Sequence, residues 1–188
     1  MEDDVRRLDC VSRNGNPLAT LKWFKINGGH EQELSGLTSV HESTVTSELT
    51  IRIKATDNGA VYRCEASNRA TTEPLSGQVS LVVTFMSSSL KVHTEPKHPK
   101  HGAQVKLVCE TGSCNPMCEV TWTLNGGLLP DQVDEMIESQ HRGRNTRSHL
   151  TITANAKQDQ SQVVCRSFNK LLQRSVEKIH HLRVLRKS

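Results

Sequence analysis

Cysteine and tryptophan recur along this chain of 188 residues in a fixed order. Cys10 is followed thirteen residues later by Trp23 and then by Cys64; Cys109 is followed thirteen residues later by Trp122 and then by Cys165. The surroundings repeat as well. Asn16-Pro17 and Asn115-Pro116 each begin seven residues before the tryptophan. Ser47-Glu48-Leu49-Thr50-Ile51 matches Ser148-His149-Leu150-Thr151-Ile152, and Cys64-Glu65-Ala66-Ser67-Asn68 matches Cys165-Arg166-Ser167-Phe168-Asn169. So many coincidences at a period of about one hundred residues mean two copies of one unit, each large enough for a small core of its own.

Alternation of apolar and polar residues, the signature of half-buried strands, dominates the copies. Val5 to Val11 places Leu8 and Cys10 inward, and Leu21 to Lys25 places Leu21, Trp23 and Lys25 on one face. Ser47 to Ile53 turns Leu49, Ile51 and Ile53 inward, and Leu150 and Ile152 repeat this in the second copy. Val61 to Ala66 carries Tyr62, Cys64 and Ala66 on one face, and Gln78 to Val83 reads as a closing strand. From His30 to Thr44 the chain is polar and weakly patterned, which predicts one short edge strand. The expected fold is all-β, with Trp23, Leu49, Ile51, Tyr62, Trp122, Leu150 and Ile152 in the cores. The low aromatic share and frequent Ser, Thr, Gly and Asn fit this class better than a large enzyme.

Tyr62 stands two residues before Cys64 and just after the turn Asp57-Asn58-Gly59. That arrangement resembles the tyrosine corner of immunoglobulin domains, in which a phenol closes a turn and the following cysteine bridges two sheets behind a tryptophan. The resemblance implies two tandem immunoglobulin-like β-sandwiches and pairs Cys10 with Cys64 and Cys109 with Cys165, which leaves Cys114 with Cys118. The alternative for Cys114 and Cys118 is half of a zinc site, though no matching His or Cys lies at suitable spacing. Disulfides imply the secretory pathway or the cell exterior; the alternative is a reduced intracellular sandwich whose cysteines merely pack. The second copy lacks the corner, with Val163 in place of Tyr62 and Asp159-Gln160-Ser161 in place of the turn.

The expected domains are residues 1–85 and 86–188. Too few residues precede Cys10 for a first strand and its bend, and Met1-Glu2-Asp3-Asp4 is too acidic to open a signal peptide, so the expectation is a fragment whose first domain lacks its N-terminal edge strand. No run approaches the ~20 apolar residues that cross a bilayer. The join near Thr84-Phe85-Met86-Ser87 has no Gly/Ser-rich or Pro-rich spacer, which predicts limited bending.

Charge divides unevenly, with nine Lys and Arg against eleven Asp and Glu up to residue 85 and fifteen against nine beyond it. A basic second domain suggests an acidic partner or a sulfated glycosaminoglycan. The competing reading is an ordinary solvated surface, since Lys97, Lys100, Arg142, Arg144, Arg147, Arg186 and Lys187 are dispersed. Nothing resembles a nucleic-acid motif. His93, His98, His101, His180 and His181 suggest a metal or pH-sensitive patch, against exposed polar positions on strands and loops. No phosphate loop, His-Glu-x-x-His or Gly-x-Ser-x-Gly occurs, so no enzyme and no cofactor are expected. An Asn-x-Ser/Thr glycosylation acceptor is also missing.

Leu8-Asp9-Cys10-Val11-Ser12, Asn16-Pro17 ahead of Leu21-Lys22-Trp23, and Val108-Cys109-Glu110-Thr111-Gly112-Ser113 followed by Asn115-Pro116 and Val120-Thr121-Trp122 resemble the nephrin, Hibris and Sticks-and-stones group of adhesion receptors. The resemblance covers both domains; Cys114 and Cys118 depart from it. It implies a single-pass membrane protein at cell-cell junctions that binds another immunoglobulin-superfamily surface protein in trans or cis. The alternatives are the ligand-binding ectodomain of a receptor kinase or phosphatase, and a secreted or muscle-type scaffold.

Overall fold

The computed structural model describes residues 1–185, so Arg186 and Lys187 of the basic set lie outside the described residues. The chain divides between Val83 and Thr84 into two units. Phe85 therefore sits with the second unit, where it pairs with Asn115.

The first unit holds seven strands: β1 (Val5–Arg13), β2 (Thr20–Asn27), β3 (His30–Leu34), β4 (Leu37–His41), β5 (Thr44–Arg52), β6 (Val61–Ser67) and β7 (Leu75–Ser80). One sheet runs β1-β5-β4 and the other β3-β2-β6-β7, with antiparallel pairing throughout. Trp23, Leu49, Ala60, Tyr62 and Cys64 form the core between them, because the period-two alternation of β2, β5 and β6 turns those residues inward. Among the described residues no strand precedes Val5, and β1 is an edge.

Two expectations need correction here. The polar stretch from His30 to Thr44 forms two edge strands, not one: β3 joins the sheet of β2, and β4 joins the sheet of β5. The chain crosses between sheets at Gly36, where an added Cβ would lie 2.5 Å from the Ser47 hydroxyl and 3.0 Å from Trp23. Only glycine fits so close an approach. The closing strand is Leu75–Ser80 rather than Gln78 to Val83. Leu81 to Val83 is held instead by single bonds: Gly59 N–H donates to Leu81, Leu81 N–H to Ala60, and Val83 N–H to the Asn58 side-chain oxygen at 2.9 Å.

The second unit holds β8 (Phe85–Met86), β9 (Leu90–Glu95), β10 (Gln104–Thr111), β11 (Cys114–Asn115), β12 (Glu119–Leu124), β13 (Gly127–Leu129), β14 (Val133–Glu138), β15 (Arg144–Thr153), β16 (Gln162–Asn169) and β17 (Arg174–His181). One sheet runs β8-β11-β15-β10-β9 with β14 also on β15; the other runs β13-β12-β16-β17. Its core gathers Leu107, Cys109, Val120, Trp122, Leu150 and Cys165. The copies keep step with each other, but not throughout. Cys10/Cys109 and Trp23/Trp122 share one offset, whereas Ser47/Ser148 and Cys64/Cys165 share an offset two residues longer, so the added pair falls between Trp122 and Ser148.

Candidate recognition surface

Both long-range cystines cross from one sheet to the other. Cys10 on β1 joins Cys64 on β6, and Cys109 on β10 joins Cys165 on β16, with S–S distances of 2.02 and 2.06 Å. Closing 54- and 56-residue separations removes unfolded-state freedom, valued at roughly 4 kcal/mol each on chain-entropy grounds. Cys114 joins Cys118, four residues on, at 2.02 Å. So short a loop contributes about half as much. Trp23 and Trp122 are both buried behind their cystines. The Trp122 indole donates to the Ser148 hydroxyl at 3.0 Å, whereas the Trp23 indole N–H has no hydrogen-bond partner. Leu49 and Leu150 are buried, and Ile51 and Ile152 are half-buried.

The turn before β6 is built on charge. Asp57 is buried; its carboxylate accepts the Lys54 N–H at 2.8 Å and meets the ammonium of Lys25, which β2 points inward. The Lys25 ammonium lies 5.9 Å from the centre of the Tyr62 ring. Burial, the largest influence, lowers the Lys25 pKa, but the Asp57 hydrogen bond and the charges of Tyr62 and Asp57 outweigh it and leave the pKa raised. Tyr62 is also raised, by burial first and then by Asp57. The second unit makes the same turn without that ion pair, its Asp159 carboxylate accepting the Val184 N–H at 2.9 Å. Leu124, Gln158 and Val163 stand at the three positions; Gln158 accepts the Asn155 N–H at 3.0 Å. Asn125 donates to the Ser161 hydroxyl and accepts the Gln162 N–H, each at 2.9 Å.

A second repeated device ties loops together at one end of each sandwich. The Asn68 side-chain amide donates to the Pro17 carbonyl at 2.9 Å, and Asn169 donates to the Pro116 carbonyl at 3.0 Å. Their oxygens hold the turn that follows: Asn68 accepts Ala70 N–H, and Asn169 accepts Leu171 and Leu172 N–H. Both proline peptides are cis. The motif residues were visible in the repeat, but nothing in the sequence said that one asparagine reaches the other loop.

With both cores pinned by cystines, the outer faces of the sheets are the rigid surfaces open to a partner. On the outer face of β3-β2-β6-β7 the Arg63 guanidinium lies 5.1 Å over the Phe24 ring and is gripped by Glu31 and Glu65, each at 2.9 Å. Ile26 and Val61, paired across the sheet, extend this apolar centre, and Lys22 with Glu33 lies at its margin. An aromatic and arginine centre with a charged rim is the composition of protein interfaces. In the second unit Arg166 lies 5.7 Å over Phe168. There the outer face of the other sheet carries the cross-strand row Lys91, Glu110, Arg147, Glu135, so acid follows base from strand to strand. That row offers a polyanion no continuous basic stripe.

His93 approaches Glu95 at 3.2 Å, and His101 accepts the Ala156 N–H. The His180 pKa is held below its ordinary value, first by burial and then by His181 and His93. Among the described residues no group of three or more His, Cys, Asp or Glu is placed to hold a metal ion.

Two sandwiches of this strand order, each with a cystine between its sheets, define a tandem immunoglobulin-type recognition module. The chain belongs to the CD80-like C2-set immunoglobulin domain family, which it matches over residues 1–74 and 86–176. It is similar to mouse nephrin, with 26% identity over 86% of this chain and 13% of nephrin. It is similar also to cell adhesion molecule 2 of Xenopus tropicalis, with 27% identity over 94% of this chain and 40% of that protein. The crystal structure of Rst D1-D2 shares the fold, with a TM-score of 0.66 and 18% identity over 96% of this chain and 92% of that one. The chain thus spans less than half the length of these curated relatives, which are adhesion receptors of the immunoglobulin superfamily rather than enzymes.

Proposed function

We propose that this chain is part of the extracellular region of a membrane-anchored adhesion receptor. It engages another immunoglobulin-superfamily protein, in trans or cis, on the outside of the cell membrane at cell-cell contacts. The observation that carries this reading is the Phe24 and Arg63 centre on the outer face of β2 and β6: an aromatic ring capped by a guanidinium, on a flat sheet stiffened from behind by a cystine. Such a surface buries apolar area against a partner without any change of the backbone. The similarity to nephrin and to cell adhesion molecules supports adhesion over a kinase or phosphatase ectodomain.

Beads coated with the chain, mixed with cells that display candidate immunoglobulin-superfamily proteins, test the proposal. Binding should occur to at least one such protein and fall about tenfold or more with Phe24→Ser or Arg63→Glu, as for a hot-spot residue. Binding to none of them, or binding that ignores both substitutions, refutes it.

A further inference from the structure

The sequence holds no Asn-x-Ser/Thr acceptor, so sugar on this chain is carried by a hydroxyl rather than by an asparagine amide. A hydroxyl serves as acceptor where an enzyme can close around it: exposed, without a competing hydrogen bond, on backbone outside the sheets. A proline close behind it helps, because its ring has no N–H to pair and holds the residue ahead of it extended. Ser and Thr beside proline are accordingly the composition of O-glycosylated segments.

Thr71, Thr72, Thr94 and Ser113 stand within three residues ahead of a proline. The structure separates them. Thr94 is buried on β9. The Ser113 hydroxyl donates to the Gln140 carbonyl at 2.8 Å. The Thr71 hydroxyl closes the turn after β6, donating to the Asn68 carbonyl at 3.3 Å and accepting the Asn68 N–H at 3.4 Å. Thr72 meets every requirement. It is exposed, as are Glu73 and Pro74 after it, and its hydroxyl has no hydrogen-bond partner among the described residues. The segment lies between the end of β6 at Ser67 and the start of β7 at Leu75, and among the described residues neither the Thr72 nor the Glu73 N–H joins a backbone hydrogen bond. Asn68 fixes the base of the loop, donating to the Pro17 carbonyl and accepting the Ala70 N–H. The acceptor is thus presented from a tethered turn on backbone that an enzyme can draw out without breaking a ladder.

We propose that Thr72 is an O-glycosylation site, taking N-acetylgalactosamine from its uridine diphosphate ester. The Thr72 hydroxyl oxygen attacks the anomeric carbon of the sugar. A carbon–oxygen bond forms there as the bond from that carbon to the diphosphate breaks; the diphosphate leaves with the electron pair and takes up the hydroxyl proton. Nothing is oxidised or reduced. The inference rests on the extracellular reading for the compartment in which the transfer occurs, but not on the Phe24 and Arg63 face, so adhesion and modification stand or fall separately.

Two arms test it. In one, the chain secreted from animal cells behind a signal peptide is digested and mapped by mass spectrometry with fragmentation that keeps sugar on its residue. In the other, purified chain is incubated with a polypeptide N-acetylgalactosaminyltransferase and UDP-N-acetylgalactosamine, which reads the acceptor whatever the compartment. Sugar is expected on Thr72 in both arms and on neither Thr94 nor Ser113. Thr72→Val should abolish it, and Pro74→Ala should lower the initial rate of the enzymatic arm severalfold. Sugar confined to other residues, transfer undiminished in either variant, or no transfer to the purified chain overturns the proposal. A bare Thr72 on secreted chain overturns it too, whereas failure of secretion counts against the extracellular reading and leaves the enzymatic arm to decide.

Discussion

Asn68 and Asn169 occupy the same place in the two copies and do the same work, yet their removal should not be equally felt. Asn169 is fully buried. Truncation to alanine strips the Pro116 carbonyl of its donor and the Leu171 and Leu172 amides of their acceptor. Leaving a buried polar group unpaired costs about 1–3 kcal/mol, so three partners, with some relief by entering water, bring the loss to about 3–5 kcal/mol. Asn68 makes comparable bonds at the surface, where water replaces them, and Asn68→Ala should cost about 1 kcal/mol. Calorimetry of each variant beside the parent chain reads both, because each unit melts around its own core. At about 4–8 °C per kcal/mol for a domain of this size, Asn169→Ala should lower the transition of the second unit by about 12 °C or more, and Asn68→Ala that of the first by about 5 °C. Equal shifts, or a loss below about 1 kcal/mol for Asn169→Ala, would refute the argument that burial decides the value of this clamp.

Two further outcomes are expected. Lys25→Leu alone strands the buried Asp57 carboxylate and should destabilise the first unit by about 3–5 kcal/mol, whereas Lys25→Leu with Asp57→Gln, the pair present in the second unit, should recover most of the loss; denaturant titration of the single and double variants checks this. The His180 pKa is depressed in the folded chain, so the neutral ring contributes stability that is fully present above its ordinary value of 6.5 and is lost as pH falls through the folded value. Melting the second unit between pH 7.5 and about 5 should show this decline, reduced in His180→Gln.

The double sandwich was legible because its evidence is local and repeated: the cysteine and tryptophan spacing, and strict alternation in segments such as Ser47 to Ile53. What escaped the sequence depends on contacts far apart in the chain. The crossing at Gly36 is dictated by Ser47 and Trp23, neither of which is near it in sequence. The closing strand lies at Leu75–Ser80, where Leu75 and Val79 stay exposed, so apolar content there does not mark burial. Tyr62 after Asp57-x-Gly59 marked a turn, and Lys25 was visible on the inward face of β2. That the lysine joins the aspartate and lies beside the phenol is a tertiary fact. For the recognition face, alternation in β2 tells which side Phe24 occupies but not that Arg63 caps it.

The two extra residues of the second copy bear on engineering. They are the net of a β12–β13 hairpin shorter than β2–β3 and a β14–β15 connection longer than β4–β5, and the cystine, the indole and the asparagine tether remain in place around them. Evolution has thus already performed a length experiment at the β14–β15 connection. A tag or grafted epitope inserted there, rather than between β16 and β17 where Asn169 binds the turn, should leave the second sandwich intact.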